Sequence, residues 1–155
     1  MRGRVVIVAG SDSSGGAGIQ ADIKTVTALG GFAATAITAL TAQNTLGVHG
    51  FLDVDTAFVR KQIQVVLNDV GADVVKTGML HNADVIEAVC AEIDNNALGI
   101  PIVVDPVMVA KGGEALIDDS GVRMIFKKLL PRAYLITPNI PEAETLLERS
   151  IKILK

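Results

Sequence analysis

The sequence predicts a three-layer α/β/α fold around a mostly parallel sheet, on three observations. Short apolar runs rich in Val and Ile recur between longer stretches with helical spacing. Those runs lack polar alternation, as strands buried on both faces under helices do. Glycine follows several helical stretches at the stop position, as at Gly30 and Gly71. Strand and helix repeated in this order imply parallel neighbours joined by right-handed crossovers.

The first strand is "VVIVA", Val5 to Ala9, which ends at Gly10. A loop of Gly, Ser, Asp and Ala then leads into helical spacing from Ala17 to Leu29. "FAATAITAL", Phe32 to Leu40, reads as a longer strand. Asp55 is placed to cap a helix over Thr56 to Val70, because its carboxylate can accept from the first free N–H groups. "DVVKT" (Asp73 to Thr77) is the next strand, followed by a helix from Asn82 to Asp94. "IVVD" (Ile102 to Asp105) precedes a helix from Asp118 to Leu129, and "YLIT" (Tyr134 to Thr137) precedes one from Pro141 to Glu148. Pro141 falls in the first turn, where a missing N–H is tolerated. No repeat, low-complexity segment or linker interrupts the pattern.

Composition narrows the function classes. The 155 residues carry 14 Lys and Arg against 17 Asp and Glu, and half are apolar, which suits one soluble domain with a sizeable core. Aromatics make up 3% with no Trp, and no basic cluster is interleaved with stacking side chains, so a nucleic-acid partner is not expected. The run "VVIVA" is too short for the apolar core of a signal peptide, and no later run approaches a membrane span. The single cysteine, Cys90, excludes an intramolecular disulfide and reads as a small buried hydrophobe within "ADVIEAVCAEI". The expected location is the cytoplasm, with no membrane partner.

In sheets of this kind a ligand sits beyond the carboxyl ends of the strands. The candidate site is therefore made of Gly10 to Gly18, Thr41 to Thr45, Thr77 to Leu80, Asp105 to Gly113 and Thr137 to Glu142. In the first of these loops, small residues let backbone approach a ligand closely, and the helix that starts nearby points free N–H groups at it. No Gly-Lys-Ser/Thr follows, so this is not a P-loop. Gly16-x-Gly18-x-x-Ala21 matches a permissive dinucleotide fingerprint, but Gly16 follows a six-residue gap and no acid lies between Ile23 and Leu52. The dinucleotide reading is rejected. A mobile linker would not need this length, which leaves a ligand-contacting loop.

Asp22 lies in the early turns of the first helix, where it complements the helix dipole or accepts from an amino group of a small molecule. Gln43 and Asn44 can read a heteroaromatic edge or form an ordinary polar turn. Met79, Val107 and Met108 mix with Lys76, Asp105 and Lys111 as apolar walls with placed charges do, although core packing and a solvated Lys111 are the plainer reading. Asp105 at the tip of a buried strand needs a partner or a cation. Asn139 and Glu142 are three apart across a helix start, a spacing that suits a helix cap and also oxygen ligands for hydrated magnesium and phosphate. Glu144 reads as solvated.

The stretches "AGSDSSGGAGIQADIKT", "TALTAQNT", "VKTGML", "VVDPVMVAKGG" and "TPNIPEAE", in that order, resemble the hydroxymethylpyrimidine and phosphomethylpyrimidine kinases of thiamine biosynthesis, in the ribokinase-like superfamily. The resemblance covers residues 1–147. It implies ATP-dependent phosphorylation of 4-amino-5-hydroxymethyl-2-methylpyrimidine and then of its monophosphate, with ATP and Mg2+ as cofactors and the aminopyrimidine as small-molecule partner. It implies that Gly10, Asp22 and Gln43 contact the pyrimidine and that Met79 and Val107 line its pocket. Asp105 and Glu142 would serve the metal, Asn139 and Glu142 the nucleotide phosphates, and Lys111 is a further candidate for contacting the transferred phosphate. A sugar or pyridoxal kinase is the nearest alternative, but "TAQNT" and "DPVMVAKGG" favour the pyrimidine.

Members of that family are longer and continue into a Gly-rich loop that supplies an anion hole and an activating cysteine. Here residues 148–155, "ERSIKILK", are expected to be an atypical tail, and the fold is expected to lack the family's C-terminal part. Losing an oxyanion-type donor costs about 10²–10³ in rate, and losing an acid–base group about 10²–10⁴. The expectation is a pyrimidine-binding half with impaired kinase activity unless a second chain completes it, with a non-functional fragment as the alternative. An open sheet edge and apolar helix faces are expected to invite self-association into a homo-oligomer.

Overall fold

The computed structural model of the chain describes residues 3–109 and 115–151. Its sheet has six strands in the order β3-β2-β1-β4-β5-β6. The strands are β1 (Arg4–Asp12), β2 (Phe32–Asn44), β3 (Gly47–Asp53), β4 (Val74–Thr77), β5 (Ile102–Val104) and β6 (Leu135–Ile136). The helices are α1 (Gly18–Ala28), α2 (Thr56–Asp69), α3 (Ala83–Asn96), α4 (Asp119–Met124) and α5 (Ile140–Leu147). All strand neighbours are parallel except β2 and β3. The expected α/β architecture is present.

Side-chain alternation along β1 builds the layers. Ile7 and Ala9 pack with Ile19 of α1 on one face. Val6 and Val8 point the other way, into a larger cluster with Val59 and Ile63 of α2, and Val85, Ile86 and Val89 of α3. Cys90 is 3% exposed within that cluster, and burial pushes its thiol up to about 11. It is the buried hydrophobe the sequence implied.

The helix signals hold locally. Asp55 accepts from Phe58 N–H, and Gly30 and Gly71 take positive φ angles of 81° and 70°. Three elements differ from expectation. β1 runs on through Gly10, Ser11 and Asp12, expected as loop, because Ser11 and Asp12 pair with Leu40 and Thr41 of β2. The helix after Asp118 is α-helical only to Met124, then opens into a π turn (Ile125–Leu129) and closes as a 3₁₀ turn (Leu130–Arg132). Pro131, with no N–H to continue the ladder, stands in that closing turn. The largest difference is β3, an unread antiparallel edge strand. It supplies a partner for β2 from Ala39↔Asp53 to Asn44↔Gly47, so Thr41 to Asn44, expected as loop, are strand.

His81 ties β3 to the far wall of the site. Its ring lies 4.4 Å from that of Phe51, its Nε2 3.4 Å from Asp53, and its Nδ1 3.1 Å from the Leu116 carbonyl. At the opposite edge, β6 leaves Leu135 and Ile136 exposed. Among the described residues, no helix is long and apolar enough to cross a membrane.

Candidate functional site

A cavity of about 680 Å³ opens beyond the carboxyl ends of β1, β2, β4 and β5. Its volume falls in the range of small-molecule sites. Gly10, Asp22, Gln43, Met79, Asp105 and Val107 all line it.

The loop after β1 is organised by a residue that sequence reasoning passed over. Asp12 is 3% exposed, and its carboxylate accepts from Ser14 N–H (2.8 Å), Ser14 Oγ (2.8 Å), Gly16 N–H (2.9 Å) and Ala17 N–H (2.8 Å). Burial pushes its pKa up, but donation from Ser14 and from the Ala17 and Gly16 N–H groups outweighs that and holds the carboxyl below its ordinary value. The N–H groups of Ser14, Gly16 and Ala17 are thus taken by an internal carboxylate, which makes the loop ahead of α1 a preformed wall of the cavity. The available signal was the Asp-Ser-Ser-Gly order, since Asp bonds readily to N–H groups a few residues on. Gly18 closes the turn with φ 56°, and a Cβ there would stand 2.4 Å from the Gly10 carbonyl oxygen.

Asp22 is the fifth residue of α1, beyond the first turn, so the helix dipole does little for it. Its partner is Lys76 of β4, whose Nζ lies 2.7 Å from Asp22 Oδ2 and 3.5 Å from Asp105 Oδ2. The cation that Asp105 needed is thus Lys76. The side chains are 22% (Lys76), 22% (Asp22) and 32% (Asp105) exposed, so the group is screened yet open to the cavity.

Gln43 is latched through its backbone: its N–H donates to Ser13 Oγ at 2.8 Å, beside a 2.8 Å contact of that hydroxyl with its carbonyl. Its Oε1 is 3.2 Å from Thr41 Oγ1, and Nε2 has no acceptor among the described residues. Asn44 ends β2 and braces the turn into β3, its Oδ1 accepting from the Leu46 and Gly47 N–H groups. Met79 lies over Gly10 so closely that a Cβ on Gly10 would be 2.4 Å from Met79 Cε. Met108, 4% exposed, belongs to the core instead.

Asn139 and Glu142 are not among the residues lining the cavity. They form a reciprocal capping box at the start of α5, with Glu142 N–H donating to Asn139 Oδ1 and Asn139 N–H to Glu142 Oε2, both at 2.9 Å. Lys111 lies outside the described residues.

The model of the family described as phosphomethylpyrimidine kinase matches residues 12–155. The chain belongs to the phosphomethylpyrimidine kinase family. A hydroxymethylpyrimidine/phosphomethylpyrimidine kinase of Bacillus subtilis is 53% identical over 151 residues, covering 97% of this chain and 55% of that one. The crystal structure of a phosphomethylpyrimidine kinase from Clostridium difficile superposes with a TM-score of 0.88 at 42% identity, covering 96% of this chain and 64% of that one. A Staphylococcus aureus pyridoxal kinase in complex with pyridoxal gives a TM-score of 0.85 at 33% identity, with coverages of 97% and 55%. The chain thus spans about half the length of the curated family kinases it matches. Its fold is the ribokinase-like one of these kinases.

Proposed function

We propose that this chain forms the pyrimidine-binding part of a kinase that moves the γ-phosphoryl group of ATP to 4-amino-5-hydroxymethyl-2-methylpyrimidine and then to its monophosphate. The observation that carries the reading is the meeting of Gly10, Asp22, Gln43, Met79 and Val107, drawn from four separate segments, around one cavity with Asp105 at its side. Asp22 accepts from the exocyclic amine, the Gln43 amide supplies donors to a ring edge, and Met79 and Val107 provide flat apolar contact. The absence of a side chain at Gly10 leaves room for Met79 and the ring together.

In the transfer, a bond forms between the hydroxymethyl oxygen and the γ-phosphorus while the bond to the β,γ-bridging oxygen breaks, releasing ADP, and the hydroxyl proton passes to water. The protein's work in such a step is alignment and charge stabilisation. Among the described residues, no cluster of three or more His, Cys, Asp or Glu forms a metal cage. Magnesium at kinase sites is held largely by phosphates and water with one or two carboxylates, and Asp105, whose Oδ2 pairs with Lys76 at 3.5 Å while Oδ1 has no donor among the described residues, has an oxygen to supply there. Bound there with the nucleotide, magnesium would neutralise phosphate charge. Glu142 is committed to the α5 cap through Oε2, so we assign it to shaping the phosphate-side loop with Asn139.

The test is calorimetric titration of the chain with the hydroxymethylpyrimidine, with and without Mg-ATP, and a product assay alongside. We expect binding that Asp22→Ala and Gln43→Ala abolish. A folded chain that binds no pyrimidine would overturn the assignment. The fold shared with the pyridoxal-bound kinase gives a second reading, a pyridoxal-type vitamin, which preferential binding of pyridoxal in the same titration would favour.

A further inference from the structure

On β4, Val75 is buried in the α2/α3 core and Thr77 is fully buried, while Lys76 between them lines the cavity on the other side. Among the described residues lining the cavity it is the one cationic side chain, against Asp12, Asp22 and Asp105. Asp12 is saturated by its own loop, so Lys76 serves the other two.

An ammonium has three N–H donors and no acceptor. Asp22 takes one at 2.7 Å, and Asp105 pairs with the charge at 3.5 Å without a hydrogen bond, which leaves donor capacity for the cavity. Asp22 in turn has Oδ2 on Lys76 and, among the described residues, no donor to Oδ1. An acceptor and a cationic donor therefore stand side by side at the wall of the site. A heteroaromatic ring carrying an amino group beside a ring nitrogen presents the complementary order, an N–H next to a lone pair. A lone carboxylate would recognise the amine alone; the ion pair recognises both atoms and their spacing.

We propose that Lys76 is a recognition residue for the ring, donating to the nitrogen that neighbours the amine-bearing carbon while Asp22 accepts from the amine. This rests on the aminopyrimidine reading above. It makes Lys76 a determinant of which heterocycle is accepted.

The experiment is calorimetric titration of the chain with two ligands: the hydroxymethylpyrimidine, and the analogue in which CH replaces that ring nitrogen. The wild-type chain should prefer the pyrimidine by about 10- to 100-fold, the size expected for one charge-assisted hydrogen bond. Lys76→Met should lose that preference, weakening the pyrimidine by a similar factor while changing the analogue by less than about 3-fold. Lys76→Arg, which keeps the charge beside Asp22, should retain part of the preference. A folded Lys76→Met that keeps the wild-type preference overturns the inference and leaves the pyrimidine reading standing. Should Lys76→Met not fold, the wild-type chain still decides: equal affinity for both ligands overturns the role of Lys76. Binding of neither ligand sinks the pyrimidine reading, and this inference with it.

Discussion

Asp12 and Asp22 flank one loop–helix junction and line one cavity, yet their surroundings differ in kind. Asp12 is almost wholly buried and takes four hydrogen bonds from residues within five positions of itself. Asp22 is partly exposed and, among the described residues, has one partner, Lys76, 54 residues away. A carboxylate saturated by neighbouring N–H groups fixes the shape of a loop. One whose only partner is a distant cation keeps an oxygen for a ligand. The same side chain thus serves architecture in one place and recognition in the other, and the number and origin of its donors tell them apart.

The sharpest way to break this comparison is to delete each carboxylate. Asp12→Ala leaves the N–H groups of Ser14, Gly16 and Ala17 without their acceptor, and we expect a loss of about 2–4 kcal/mol in denaturant unfolding. Asp22→Ala should cost less than about 1 kcal/mol in the same measurement while removing pyrimidine binding. Equal losses of stability would erase the distinction.

Acid titration sharpens it further. The Asp12 pKa is depressed from 3.8, so its contribution is fully present above that value and is lost as pH falls through the folded-state value. Asp73 is held at about 2 by hydrogen bonding to the Arg4 side chain and backbone, and adds to the same acid limb between about 4 and 2. Unfolding followed from pH 5 downward should show a steeper fall in the wild-type chain than in Asp12→Asn.

Gly10→Ala probes the recognition side with a smaller effect. Its Cβ would meet Met79 Cε, the free end of a flexible side chain, so Met79 is displaced and the fold is kept. Pyrimidine affinity should fall by about 3- to 10-fold, with a stability change under about 1 kcal/mol. The smallest expected effect lies in the core: Cys90, buried with its thiol raised to about 11, should stay unreactive to a thiol reagent until denaturant is added. Rapid labelling of the native chain would contradict its burial.

The strands that pack on both faces were legible because their signal is local: Val5 to Ala9 and Ile102 to Val104 are continuous apolar runs. The Asn139–Glu142 capping box and the Asp55 cap were legible for the same reason, since both partners lie within one turn. β3 was not. "GVHGFLD" carries two glycines and is mostly exposed at a sheet edge, so it shows neither an apolar run nor a clean alternation. Its pairing turned Thr41 to Asn44 from loop into strand, yet Gln43 still reached the cavity. Asp12 escaped notice because its importance lies in the curl of the chain back upon it.

By itself the sequence determined the alternation of buried strands and amphipathic helices, the caps and glycine stops, and the five loop motifs that place the chain among phosphomethylpyrimidine kinases. These are encoded within a few residues of one another, where periodicity and backbone geometry act directly. Tertiary structure alone decided which polar groups satisfy one another. Lys76 meets Asp22 and Asp105 because β4 lies between β1, which feeds α1, and β5. An ion pair between distant residues is set by strand order and by which face each side chain takes. Those properties belong to the folded sheet, and through them the cavity acquires a donor beside its acceptor.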